Sequence, residues 1–286
     1  MLNKKIIIGL TGSTGNLGKN FTKIFKNKYK FIHYPHRIEN KKNLEKWLKK
    51  NNQIEKFIHF AAISNKNIIN KNKKNALKIN YTSTVQLINF LNKCNNIKYF
   101  NFISSSNVYK NSNNTLIESS FRKSSNYYGF TKIKVENYII KNAKKLNFKV
   151  GISRIFNYTS PDQTYGYLIP DIINKLKNNR NKKIVTFTNF NQKREFTHID
   201  DVCLGVELMV KNNFEGPLNI SSDNRISLKN LAQLIAKKMK LKIKIKTNTK
   251  TSSLISNTKQ LKKLGYKPKK NIKNIINELE KKNFFN

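Results

Sequence analysis

Apolar residues recur along this chain in two alternating rhythms. Short unbroken runs form the first: "KKIIIGL" (4–10), "YKFIHY", "IEKFIHFAA", "IKYFNFISSS" and "FKVGISRIF". Runs this short, bounded by turn residues and rich in β-branched and aromatic side chains, predict buried strands. Between them, apolar residues fall every three or four positions. Leu17, Phe21, Ile24 and Phe25 do so after the first run, and "NKKNLEKWLKKN", "ALKINYTSTVQLINFLNKC" and "NYYGFTKIKVENYIIKNAKKL" follow the same rule. That spacing predicts helices with one buried face. Strands alternating with helices predict an α/β fold with a doubly wound parallel sheet. The second and third strands lie only about twenty residues apart, which predicts a shortened strand–helix unit there.

After residue 157 the rhythm loosens, and Pro161, Pro170 and Pro217 punctuate it. "REFTHIDDVCLGVELMV" and "PLNISS" read as elements that return to the sheet. The tail, from "SLKNLAQLIAKKM" through "LKIKIKT" to "NIINELEKK", alternates short helices with one strand. The expected division is one α/β domain over 1–157 and a smaller C-terminal α/β lobe over 158–286, with an interleaved boundary.

Composition narrows the class. No apolar stretch approaches the roughly 20 residues needed to cross a membrane. The N-terminal apolar run leads straight into a glycine-rich turn and reads as a first strand, so no signal peptide is expected. Cys94 and Cys203 are the two cysteines of 286 residues, which provides neither a metal spacing nor a disulfide framework. A cytoplasmic enzyme without metal fits. The formal net charge is +42. At face value it points to nucleic acid or an anionic membrane surface. Yet only six basic residues are arginine (37, 122, 154, 180, 194 and 225), and the lysines are spread through the chain among Asn and Ile. An AT-rich genome produces that mixture, so the charge reads mainly as compositional drift on solvated faces. A positive field would still attract a phosphorylated substrate.

Two stretches carry chemistry. "TGSTGNLG" places Gly12, Gly15 and Gly18 three residues apart, after a strand and at the start of a helix. Such a turn admits a pyrophosphate close to the backbone, and the helix N-terminus offers it free N–H groups. "NYYGFTK" puts Tyr128 four residues before Lys132, one helical turn away on the same face, while Tyr127 points elsewhere. An ammonium beside a phenol is expected to pull its pKa from about 10 toward neutrality. That would make Tyr128 an acid and base near pH 7.

Taken in order, these stretches resemble the short-chain dehydrogenase/reductase superfamily, in its extended branch of NAD-dependent epimerases and dehydratases acting on nucleotide sugars. "TGSTGNLG" is similar to that branch's T-G-x-x-G-x-x-G. "FIHFAA" resembles its strand ending in His-x-Ala-Ala, and Asn80 matches the Asn of the following helix. "FISSSNVY" resembles the strand whose catalytic Ser or Thr stands four residues before a Val-Tyr, which gives Ser105. "YYGFTK", "RIFNYTSP", "REFTHIDDV", "GPLNISS" and "LKKLGYKPK" match later landmarks in order, so the resemblance spans nearly the whole chain. It implies a Rossmann-type fold, an NAD or NADP cofactor, a nucleotide-diphosphate sugar substrate and a homodimer. It also implies roles. Tyr128 exchanges a proton with a sugar oxygen, Lys132 holds the nicotinamide ribose, and Ser105 hydrogen-bonds the reacting oxygen. Gly12, Thr14, Gly15, Asn16, Leu17, Gly18, Ala61, Ala62 and Asn80 fall to the cofactor, and Asn157 and Arg194 to the substrate. His59 and His198 read as structural, and Asp200 and Asp201 as caps of the following helix.

The departures are informative. Family dehydratases carry Asp-Glu after the catalytic Thr, where this chain has Ser106 and Asn107, which disfavours a 4,6-elimination. The second strand lacks the acidic residue for an adenosine ribose and runs to Arg37, which suits a 2′-phosphate and tilts the choice to NADP. Where relatives grip the diphosphate with an Arg, Lys250 is the nearest substitute. "RIFNYTSPDQ" resembles the matching stretch of GDP-4-keto-6-deoxymannose reductases. The expected function is an NAD(P)-dependent nucleotide-sugar epimerase or keto-reductase. The alternative is a non-catalytic dinucleotide-binding protein with a basic nucleic-acid-binding surface, against which the Ser–Tyr–Lys set argues.

Overall fold

The computed structural model describes residues 5–110, 112, 114–163, 166–247 and 253–281. Its first half alternates as the periodicity predicts. In order come β1 (Ile7–Thr11), α1 (Asn16–Phe25), β2 (Lys30–His33), α2 (Lys41–Lys50), β3 (Lys56–His59), α3 (Lys66–Lys71), α4 (Lys73–Leu77) and α5 (Ser83–Leu91). Then follow β4 (Tyr99–Ser105), α6 (Tyr127–Asn142) and β5 (Lys149–Ile155). A single helix spans the short connection from β2 to β3, as its length required. Every residue of β1, β3 and β4 is buried, which is why these runs show no polar alternation.

The second half comprises β6 (Tyr158–Thr159), α7 (Leu168–Lys177), β7 (Ile184–Phe187), β8 (Lys193–Glu195), β9 (Thr197–His198) and α8 (Ile199–Lys211). It continues with β10 (Gly216–Ile220), β11 (Arg225–Ser227), α9 (Leu228–Lys238), β12 (Lys244–Thr247), α10 (Lys259–Lys263) and α11 (Ile272–Lys281). The main sheet is parallel, in the order β10-β5-β4-β3-β1-β2. Two elements return to it as expected. β10 pairs with β5, and α8 buries Val202, Cys203, Val206 and Met209 in the core that α1 and β1 share. The opposite face is covered by α2, α5 and α6. A separate core, built from α7, α9, α11, β7 and β12, includes Leu176, Phe187, Leu231 and Ile276. Among the described residues, no helix is long and apolar enough to cross a membrane.

The chain leaves β1 first toward β2 and later toward β3 on the other side. Such a reversal opens a crevice beyond the carboxyl ends of the strands, where open α/β sheets take ligands.

Candidate active site

The crevice holds a cavity of about 390 Å³, within the range of small-molecule sites. Its lining comes mainly from the strand ends of the large sheet and from one helix. Gly12, Gly15, Asn16, Leu17 and Gly18 follow β1, and Phe60, Ala62 and Ser64 follow β3. Ile103 to Asn107 end β4, Tyr128 and Lys132 project from α6, and Ile155 to Tyr158 end and follow β5.

The glycine turn is shaped for close approach. Gly12 has φ of +71°, and a Cβ there would meet the Ala61 backbone nitrogen at 2.5 Å. A Cβ on Gly18 would lie 2.4 Å from the Gly12 carbonyl oxygen, so the helix start can sit on the turn only without one. Gly15 occupies the N-cap of α1, and no side chain caps that end. Free N–H groups and the positive end of the helix therefore face the cavity, as an anion requires. The absent side chains and the uncapped helix suit a dinucleotide pyrophosphate.

Tyr128 and Lys132 both reach the cavity from α6, whose N-cap Asn126 accepts a hydrogen bond from the Gly129 N–H at 2.9 Å. The lysine Nζ donates to the Ile103 carbonyl at 2.7 Å and lies over the rings of Phe102, at 4.6 Å, and Tyr128, at 5.6 Å. The Ser105 hydroxyl accepts from the Asn107 N–H at 3.2 Å and its side-chain amide at 3.1 Å. Asn107 in turn accepts from Asn126 at 3.0 Å, which ties the end of β4 to the start of α6.

The electrostatics differ from the expectation in one respect. The Tyr128 phenol is raised above its ordinary value, by burial first and then by Tyr167. The lysine does not offset this, because its own burial brings Lys132 down to about 7 despite the nearby Glu136 carboxylate. At neutral pH it carries only part of a charge, and its ammonium faces a carbonyl and two rings. Desolvation thus outweighs the attraction on which the spacing argument relied.

Behind the wall lies a buried charge network. Glu136 accepts from Ser104 at 2.6 Å, from Arg154 at 2.7 and 3.1 Å, and from Arg122 at 3.0 Å. Arg154 also donates to the Tyr109 hydroxyl at 2.8 Å and to the Glu118 carbonyl at 2.6 Å. These bonds hold β4, β5 and α6 in register where Ser105, Asn157 and Lys132 emerge. Sequence reading assigned no role to Glu136, Arg154 or Arg122. A Glu one turn beyond Lys132 was the available signal.

Other expected site residues stand elsewhere. Asn80 lies behind the cavity, in a π-helical turn over Lys78–Thr82. Its amide accepts from the Ile63 N–H at 2.8 Å and donates to the Ile63 carbonyl at 2.9 Å and to Thr131 at 3.2 Å. It therefore braces the segment that carries Ala61 and Ala62. Thr14 is exposed, and neither it nor Ala61 is part of the lining. Arg37 stands outside the cavity with its Nε 2.6 Å from a Glu39 oxygen, a partner the sequence reading passed over. Asn157 lines the cavity, whereas Arg194 does not. Nη1 of Arg194 is buried with no partner among the described residues, and burial lowers its pKa to about 10. Lys250 lies outside the described residues.

His59 is fully enclosed between Thr11, at 2.7 Å, and Thr84, at 2.9 Å, and burial with Lys132 nearby lowers its pKa to about 3. His198, and neither aspartate, caps α8, accepting from the Asp200 N–H at 3.1 Å. Asp201 instead accepts from the Lys269 and Lys270 N–H groups at 2.8 and 3.0 Å, and Asp200 pairs with Lys270 at 2.8 Å. Both carboxylates fasten the C-terminal segment to α8, because the position before the helix is already taken by the imidazole.

Comparison with known proteins fits this geometry. A family model described as the NAD dependent epimerase/dehydratase family matches residues 8–221. A dTDP-D-glucose 4,6-dehydratase of Dictyostelium discoideum is 27% identical over 198 residues, covering 64% of this chain and 44% of that protein. This chain thus matches less than half the length of that relative. Among solved structures, RMD from Pseudomonas aeruginosa complexed with NADPH superposes with a TM-score of 0.85 at 18% identity, covering 97% of this chain and 98% of the other. The UDP-glucose 4-epimerase of Thermus thermophilus in complex with NAD gives 0.82 at 12% identity, covering 98% and 99%. At these identities the superpositions establish the fold.

Proposed function

The chain belongs to the NAD dependent epimerase/dehydratase family, and on that premise we propose that it is a nucleotide-sugar epimerase or keto-reductase. The observation that carries this reading is one cavity shared by the glycine turn, Ser105, Tyr128 and Lys132. A bound nicotinamide would supply the hydride acceptor or donor. The turn and the α1 N-terminus hold the pyrophosphate, and Lys132 holds the ribose. Tyr128 gives a proton to, or takes one from, the sugar oxygen, which Ser105 orients by a hydrogen bond. Burial keeps the phenol protonated in the free protein, so it can donate its proton to a keto oxygen as hydride arrives. Ser106 and Asn107 supply no acid–base pair for elimination, which separates this chain's proposed chemistry from the activity named for its Dictyostelium relative.

NADP is the preferred cofactor on the strength of Arg37, provided its guanidinium leaves Glu39 for a 2′-phosphate. Arg194, with an unpartnered buried nitrogen, is the proposed diphosphate ligand. The division at residue 157, a homodimer and a cytoplasmic setting belong to the same proposal. The test is turnover of UDP-, dTDP- and GDP-hexoses and their 4-keto derivatives with NADPH or NADH. Tyr128→Phe should lose most of the rate while keeping cofactor affinity. Equal rates for the variant and the wild type would overturn the assignment.

A further inference from the structure

Three buried tyrosines spend their hydroxyls on protein partners. Tyr29 donates to Glu207 at 2.7 Å, Tyr99 to the Phe214 carbonyl at 2.9 Å, and Tyr109 to Asn219 at 2.7 Å. Tyr266 has no hydroxyl partner among the described residues, but it packs in the core that α8 shares and does not line the cavity. Two half-buried tyrosines that line the cavity, Tyr128 and Tyr158, have no hydroxyl hydrogen bond among the described residues. A phenol drawn out of bulk water without a hydrogen bond costs free energy unless a ligand or water completes it.

Tyr158 opens β6, directly after Asn157, and its ring packs against the core that contains Cys203. Burial, with Tyr167 and Tyr128 close by, keeps its hydroxyl protonated. The hydroxyl is thus a donor at every working pH. Among the described residues of the lining there is no carboxylate, imidazole, thiol or guanidinium. The titratable groups there are Tyr128, Lys132, Tyr158 and Tyr167, and Tyr167 already approaches Ser64 at 3.5 Å.

We propose that Tyr158 is a second ligand-facing phenol, donating a hydrogen bond to an oxygen substituent of the sugar beside the carbon that exchanges hydride. Tyr128 serves the reacting oxygen and Tyr158 a neighbouring one, so the pair selects which sugar, and which face of it, is presented. This rests on the nucleotide-sugar reading above and adds a specificity-determining residue to it.

Tyr158→Phe removes one oxygen and keeps the ring, so a thermal melt should match the wild type. NADPH affinity, read by nicotinamide fluorescence, should stay within about twofold. For the accepted nucleotide sugar kcat/KM should fall about three- to tenfold, the value of one neutral hydrogen bond. On one monodeoxy analogue, the one lacking the contacted oxygen, variant and wild type should be equal, as a double-mutant cycle requires. Three outcomes overturn the inference alone: a variant equal to wild type on the accepted sugar, the same loss on every deoxy analogue, or a loss confined to NADPH binding. A wild-type protein that turns over no nucleotide sugar overturns the underlying reading and this inference with it.

Discussion

At the scale of single residues, burial decides more than partnership. Lys132, held down to about 7, takes up its proton in the folded state only as pH falls to neutrality. If its charged form holds the cofactor, kcat/KM for NADPH should decline as pH rises through about 7, since that parameter reports the free enzyme. A profile flat from pH 6 to 9 would show that the charge is not needed. His59 works on stability. Its folded pKa of about 3 lies below the unfolded value near 6.5, so between them the unfolded chain binds the extra proton. Stability should therefore drop as pH falls from 6.5 toward 3, by about 1.4 kcal/mol per pH unit for this one group. Urea titrations from pH 7 to 4 measure it, and His59→Gln should flatten the dependence. Arg37 and Glu39 form a third test. Arg37→Ala should narrow any preference for NADPH over NADH, and Glu39→Gln, by freeing the guanidinium, should widen it. Titration of both cofactors by fluorescence would count against NADP if NADH bound as tightly in the wild type.

At the scale of elements, the glycine turn separates binding from folding. Gly15 has an ordinary φ of −70°, and a Cβ there would stand 3.3 Å from the Gly12 carbonyl. Gly15→Val should fold, with its branches lying where a pyrophosphate must sit, and calorimetry should find dinucleotide binding abolished. Gly12→Ala must instead adopt a left-handed φ against the Ala61 backbone, so its first loss should be stability. Asn80→Ala would orphan the Ile63 N–H and carbonyl at once, a cost of about 2–4 kcal/mol by denaturant titration. These elements also show what was legible. Strand runs, helix periodicity and the Ser105, Tyr128 and Lys132 spacings are local signals, and the structure brings all three side chains to one cavity. Asn80's bracing was not legible, because a π turn leaves no mark on an apolar pattern. The capping of α8 was misread because His198 occupies a place that Asp or Ser usually takes. The network of Glu136, Arg122 and Arg154 was missed because its members stand on three different segments, the loop before α6, α6 itself and β5, and none has a purpose until the fold brings them together.

At the scale of the whole molecule, charge is the outstanding feature. The chain has 57 basic and 15 acidic residues, and Glu136, Glu195 and Glu207 among the latter are buried. Exposed carboxylates available to neutralise the lysines are correspondingly few. Surface pairs such as Lys149–Glu215 and Lys238–Glu280 are solvated and contribute little to stability. Self-repulsion should therefore dominate the response to salt. Raising ionic strength from about 0.02 M to 0.3 M shortens the screening length from about 20 Å to under 10 Å. The melting temperature should rise across that range, and a fall would mean that the ion pairs outweigh the repulsion. The same field bears on the nucleic-acid alternative. A surface that is basic only by composition should hold a single-stranded oligonucleotide at low salt and release it by about 0.2 M, because each neutralised phosphate returns a counterion to solution. A binding module would keep its grip at that salt. Retention there, together with no turnover of any nucleotide sugar, would move the function from the cavity to the surface.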